Sequence, residues 1–285
     1  MGRDIESNDR SESPRGPAER SVPPSAPEIP LVLSRERESV QERGCMYQLS
    51  PAQRATLADI GRFRTLAADE LLTYRYQGRS APFEEDLRGL SAQGLLQRRT
   101  VWTDGKGQPL TVVVLTKRGK NLVQHQGWAS SGQSVYCGFV KLREVHHDAA
   151  IYRMYQAEAA KIVQAGGQIK RVVLDYELKR NVYQPLAKAR TLPPLEYARQ
   201  QSEIARQNRL KVVRGKILLP DLRIEYATRS GASESIDLEL ATRHYRAGMM
   251  RGKAEAGFKM YAPSASVAGL TAAFDPEFAA QIFSF

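Results

Sequence analysis

The stretch 96–115 constrains this chain more than any other. Two β-prone runs, 96–103 and 110–115, flank Asp104-Gly105-Lys106-Gly107. Asp-Gly in that position supplies the positive φ of a tight turn, so the chain doubles back into a hairpin. A lone hairpin is marginal in water and must lay one face on apolar surface. The preceding residues provide it with helical spacing. Ser50-Pro51 is an N-cap followed by proline at the first helical position, and Leu57, Ile60, Gly61 and Phe63 follow on one face. Leu66, Leu71 and Leu72 serve a short second helix over 67–74. Phe83, Leu87 and Leu90 recur at i, i+4 and i+7 in a third over 81–93, which Gly94 ends. Beyond the hairpin, Thr116 caps a further helix opening Lys117-Arg118-Gly119-Lys120.

Three helices, a hairpin and a helix in that order predict a winged helix-turn-helix over 47–126. Leu115-Thr116-Lys117-Arg118-Gly119 resembles the Leu-Thr-x-x-Gly segment that follows the wing in many winged-helix regulators. In such a fold the second helix of the motif enters the major groove and the wing follows the backbone. The helix 81–93 is then the recognition helix, approached through Arg79 and Ser80, with Glu84, Glu85, Arg88 and Ser91 on its exposed side. Arg79 and Arg88 are placed for phosphate or guanine. Arg98, Arg99, Lys106, Lys117 and Arg118 are placed to hold phosphates. Glu84, Glu85 and Asp86 oppose an anionic partner; as first-turn acids they would complement the helix dipole instead. A protein-docking module is the competing use of the same fold.

Charge agrees with a polyanionic partner. The net +11 divides into −2 over residues 1–46, +5 over 47–126 and +8 over 127–285. Basic side chains facing phosphates release condensed counterions. Residues 1–46 are rich in Ser, Pro, Glu and Arg and apolar only at 29–33, so they read as a disordered tail. No apolar run approaches the roughly 20 residues of a membrane span, and the first residues lack a signal peptide's apolar core. Cys45 and Cys137 have no ligand spacing, which points to the cytoplasm and away from a disulfide framework.

Residues 127–140 read as a linker, with Gly127, Ser130, Ser131 and Gly132 close together. The pattern beyond them is a helix over 144–165, a strand over 169–176, a polar helix over 196–210, strands over 217–226 and 235–242, and a helix over 248–261. On the strands, Asp221 follows Pro220, and Asp237 and Glu239 alternate on one face. Converging carboxylates of this kind suit a Mg²⁺ site for phosphodiester hydrolysis, with Asp221 and Glu239 as metal ligands. Lys253 on the next helix is placed to stabilise a scissile phosphate. Against this, Pro-Asp is ordinary turn chemistry and the alternating acids suit a solvated strand face.

On these motifs residues 141–285 resemble the PD-(D/E)XK nuclease superfamily, and residues 50–262 the replication-relaxation family of plasmids and mobile elements. The matching positions are His147-Asp148, Pro220-Asp221, Asp237 with Glu239 and Thr242, and Lys253 followed by Tyr261. The resemblance implies an α+β chain joining a winged helix to a nuclease-like α/β domain. It departs where the active pattern wants Lys, since Glu239 and Ala241 stand there, and the sequence marks no fourth strand after the last helix. Three functions stay open: a duplex-DNA-binding accessory or regulatory protein acting in transcription, replication or mobilisation without cleavage, a Mg²⁺-dependent endonuclease using Asp221, Asp237 or Glu239, and Lys253, or an interaction module in which both halves bind protein. A homodimer suits paired half-sites, and replication or mobilisation proteins are the expected protein partners.

Overall fold

The computed structural model of this chain describes residues 36–102, 109–242, 247–264 and 282–285. Lys106 and the expected turn around it lie outside the described residues. The architecture is α+β, and no helix among the described residues is long and apolar enough to cross a membrane.

The described chain opens with a hairpin. Strands β1 (Glu38–Glu42) and β2 (Cys45–Leu49) pair antiparallel about Arg43 and Gly44, both at positive φ. This corrects the expectation of disorder through residue 46. Val40, Tyr47 and Leu49 alternate into the core, a pattern too short to stand out beside the Ser/Pro-rich residues before it. Helix α1 (Pro51–Phe63) starts at a capping box: Ser50 Oγ accepts from Gln53 N, and Gln53 Oε1 accepts from Ser50 N. Strand β3 (Leu66–Ala67), α2 (Ala68–Tyr76), α3 (Ser80–Ala92), β4 (Leu96–Val101), β5 (Leu110–Leu115) and α4 (Lys117–His125) follow. The expected hairpin β4–β5 gains β3 on its other side, in the order β3-β5-β4. Leu57, Ile60, Leu71, Leu87, Leu90, Val113 and Leu122 pack into one core between helices and sheet. Helix α4 closes on the start of β4 at Gly119, where a Cβ would stand 2.0 Å from the carbonyl oxygen of Leu95.

Residues 127–140 carry no regular element, yet they are tied down on both sides. Tyr136 N donates to Gly61 O at 2.7 Å and Gly138 N to Leu115 O at 2.9 Å. The Gln133 side-chain amide donates to Val172 O and accepts from Val172 N, both at 2.8 Å.

After a 3₁₀ turn (Leu142–Glu144), the second half runs α5 (Val145–Gln164), β6 (Gln168–Leu174), α6 (Asp175–Ala189), α7 (Pro194–Gln207), β7 (Val212–Val213), β8 (Lys216–Ile217), β9 (Leu222–Ala227), β10 (Ser233–Leu240), α8 (Ala247–Glu255), β11 (Lys259–Ala262) and β12 (Ile282–Ser284). Five strands form one sheet in the order β12-β11-β10-β9-β6, antiparallel from β6 through β9 to β10 and parallel from β10 through β11 to β12. Alternate residues face opposite layers. Val172, Leu174, Leu222, Ile224, Leu238 and Leu240 turn to α5 and join the same core as the first half. Val173, Ala241 and Met260 turn to the other layer with Leu178 and Val182 of α6, Ile204 of α7 and Met250 of α8. Phe63 of α1 meets Tyr152 of α5 edge-on at 5.0 Å, an aromatic contact of about 1 kcal/mol beyond the area it buries.

Two further expectations change. The helix expected over 248–261 stops at Glu255, because Gly257 at φ +92° reverses the chain, and β11 then places Tyr261 on a strand. That strand, parallel to β10, is the fourth strand the sequence left unmarked. Helix α6 is a further element that the spacing does not announce: Pro185 stands inside it, although Leu178, Val182, Leu186 and Ala189 fall on one face.

Candidate functional site

Two regions hold the residues singled out by the sequence. The first is the face of α3 and the adjoining sheet. Helix α3 begins at Ser80, one residue earlier than expected, with Arg79 at the N-cap. Glu84, Glu85 and Asp86 therefore sit in the second turn, and the dipole does not account for them. Cations and a tyrosine do. Glu84 pairs with Arg98 at 2.7 Å, Glu85 with Arg37 at 3.7 Å, and Asp86 accepts from Tyr76 Oη at 2.9 Å. Burial pushes the Asp86 carboxyl up despite that hydrogen bond. Arg98 is thus engaged within the chain rather than offered to a partner. Arg37, outside the expected site, shares this role.

The offered cations are Arg79, Ser91's neighbour Arg88, Arg99, Lys117 and Arg118, all exposed. The Arg79 side chain donates only to the Gln77 amide oxygen, at 3.3 Å, among the hydrogen bonds of the described residues. Arg99 lies 5.7 Å over the Phe139 ring, which steadies it without neutralising it. Ser80 and Ser91 are exposed on the same helix.

The second region is where β9, β10, α5 and α8 meet. Residues Asp237 and Arg223 are cross-strand partners. Arg223, buried, grips Asp237 through two contacts of 2.6 and 2.8 Å and also donates to Asn208 O and Arg209 O. Asp237 is therefore a structural anchor and not part of the cluster expected of it. One step along, Asp221 and Glu239 do come together: Asp221 N donates to Glu239 Oε2 at 3.2 Å. Lys253 Nζ reaches Glu239 Oε1 at 2.7 Å and Leu219 O at 2.6 Å. The expected approach of Lys253 from the helix is observed.

His147 completes the cluster. Its Nε2 lies 3.3 Å from Asp221 Oδ2 and its Nδ1 3.5 Å from Asp148 Oδ1. Burial alone would lower its pKa, but the two carboxylates outweigh it and hold the imidazole pKa up to about 10. Asp221 is correspondingly held below the usual carboxylate range: burial opposes ionisation, and His147, Leu240 N and Lys253 overcome it. Asp148 also accepts from Tyr176 Oη at 3.0 Å, and Arg64 stacks over the Tyr176 ring at 4.0 Å. Asp175, paired with Lys179, stands nearby with its carboxyl pushed up by burial. His146 is exposed, and Tyr261 belongs elsewhere, hydrogen-bonded to Glu158 and Lys161.

A divalent cation needs several oxygens converging on open space. Among the described residues no group of three or more His, Cys, Asp or Glu side chains could hold one. Asp221 and Glu239, the expected ligands, each face a protein cation instead. The donor set does not fit Mg²⁺. Beside the cluster opens a cavity of about 650 Å³, whose lining includes Asp221 and Lys253.

No protein-family model matches the chain, and no curated protein does. Among solved structures, Bacillus subtilis PadR in complex with operator DNA is similar over 55% of this chain and 93% of its own, at 12% identity and a TM-score of 0.23.

Proposed function

We propose that this chain is a DNA-binding accessory or regulatory protein that grips duplex DNA through a winged helix built from residues 47–126. Its C-terminal unit is in this reading a nuclease-like domain that no longer cleaves. The plasmid or mobile-element setting is what the sequence resemblance implies. One observation carries the first part. Glu84 and Glu85 of α3 are paired with cations within the chain and Asp86 is capped by Tyr76, while Arg79, Arg88, Arg99, Lys117 and Arg118 stay exposed. A helix-and-sheet face with that balance suits phosphates and base edges. For the second part, the order α5-β6-β9-β10-α8-β11 agrees with the resemblance, and its carboxylates are closed into pairs with His147 and Lys253.

The test is a duplex gel shift in EDTA with wild type and Arg79→Ala/Arg88→Ala. Loss of two phosphate contacts lowers the slope of log K against log salt by about 2, and affinity falls by about tenfold or more if either arginine reads a base. Unchanged affinity and slope would remove this assignment. Supercoiled plasmid incubated with Mg²⁺ stays intact. Nicking that disappears in Asp221→Ala would replace the non-cleaving reading with an endonuclease.

A further inference from the structure

The whole positive excess of residues 127–285 comes from one segment. Residues 179–216 contain ten Lys and Arg against Glu196 and Glu203, a net +8, so the rest of that half is neutral. These residues are most of α6, all of α7, and the small hairpin β7–β8, inserted between two strands that neighbour each other in the sheet. All ten cations are exposed. Three have carboxylate partners: Lys179 with Asp175, Arg206 with Glu203 and Arg214 with Glu255. The other seven form no ion pair among the described residues. A run so rich in one sign of charge repels itself, and a polyanion would offset that repulsion.

The insert also walls the cavity beside Asp221. Lys179, Tyr183, Arg214 and Lys216 line it from this side, and Gly252 and Lys253 from α8. Tyr183 is 51% exposed there. Cations tracking a backbone with an aromatic face for a base are the elements of single-strand recognition. A duplex keeps its bases stacked inside and offers none to Tyr183. The cavity, about 650 Å³, lies in the range that takes a small ligand and suits one splayed nucleotide. The acids on its lining do not repel a phosphate with full charge, since Asp175 holds Lys179 and Asp221 holds His147.

We propose that the α6–α7 insert is a second nucleic-acid site, selective for single-stranded DNA, with Tyr183 stacking a base at the cavity and the insert's cations following the backbone. It stands apart from the winged-helix reading, because the two surfaces share no residue.

Binding of the full chain to a fluorescent oligothymidine, and separately to a blunt duplex, tests this. The variants are Arg190→Gln/Arg199→Gln/Lys211→Gln/Lys216→Gln and Tyr183→Ala, with unchanged thermal melts confirming that each folds. The quadruple variant weakens single-strand binding at least tenfold and lowers its salt slope by about 3, at roughly 0.7 per phosphate released. Tyr183→Ala loses about tenfold on the oligothymidine, as for one stacked base. Duplex affinity changes less than about twofold in both. Single-strand binding unaltered in the two variants, or duplex binding falling as far as single-strand binding, overturns the proposal. If Arg79→Ala/Arg88→Ala spares duplex binding while the insert variants lose oligothymidine, the insert stands and the winged-helix assignment falls.

Discussion

Replacing Lys253 by methionine keeps most of the side-chain stem and removes the charge that sits 2.7 Å from Glu239. The Glu239 side chain is 0% exposed and that of Lys253 only 12%, so the carboxylate has no solvent contact of its own to stand in for the lysine. The Lys253 bond to Leu219 O is lost with it. Breaking one side of a buried ion pair costs about 3–5 kcal/mol, much more than a surface pair. For a chain of this size each kcal/mol moves the melting temperature by about 2–4 °C, so Lys253→Met melts on the order of 10 °C lower. Removing both charges should recover most of that, because neither is then left without its counterpart. Circular dichroism melts of wild type, Lys253→Met, Glu239→Gln and the double variant form the cycle, and a coupling of at least about 1.5 kcal/mol is expected between the two sites. A lysine kept for chemistry at a strained site behaves oppositely, since removing it leaves stability unchanged or raises it. A single variant as stable as wild type, or a double variant no better than the worse single, refutes the view of this pair as a closed lock.

The His147 contribution depends on pH with a definite sign. Its folded pKa is raised to about 10 from the ordinary 6.5, so its stabilisation is complete below about pH 6.5 and disappears as pH rises through 10. The stability gap between wild type and His147→Gln, from urea unfolding, should be widest at pH 6 and shrink by pH 10.5; a gap that widens with pH contradicts the arrangement. Gly119→Ala forces a Cβ to 2.0 Å from Leu95 O and destabilises by about 2 kcal/mol or more, visible as a lower urea midpoint. Ser50→Ala removes the cap on α1 and costs about 1 kcal/mol in the same assay.

What the sequence disclosed follows from the range of the forces involved. Elements specified by local chemistry were legible: the Ser50-Pro51 start, the Thr116 cap, the stripe Phe83-Leu87-Leu90 and the strand Leu110–Leu115 all stand where spacing put them. Elements specified by distant partners were not. Strand β3 is two residues long and exists because β5 offers it hydrogen bonds. The apolar residues of strand β11 suit a helix end as well as a strand until the sheet selects one period. Within the candidate site, Asp221, Glu239 and Lys253 converge as their positions suggested, but no spacing could tell that Arg223 would claim Asp237, or that Arg98 would be spent on Glu84. Such pairings depend on cross-strand register and on side chains meeting across separate elements. The role of His147 as a bridge between two carboxylates was likewise hidden, since Asp148 and Asp221 are 73 positions apart.

The Gln133 amide occupies a place that another strand would otherwise take along the free edge of β6, while its neighbours Tyr136 and Gly138 are sewn to α1 and β5. A peptide that reads as a flexible joint is therefore a rivet. It fixes the bearing of the arginine-bearing helix relative to the insert. On the two proposals above, a nucleic acid held by both surfaces would meet them at one set spacing, and lengthening this peptide would loosen that spacing while leaving each surface intact.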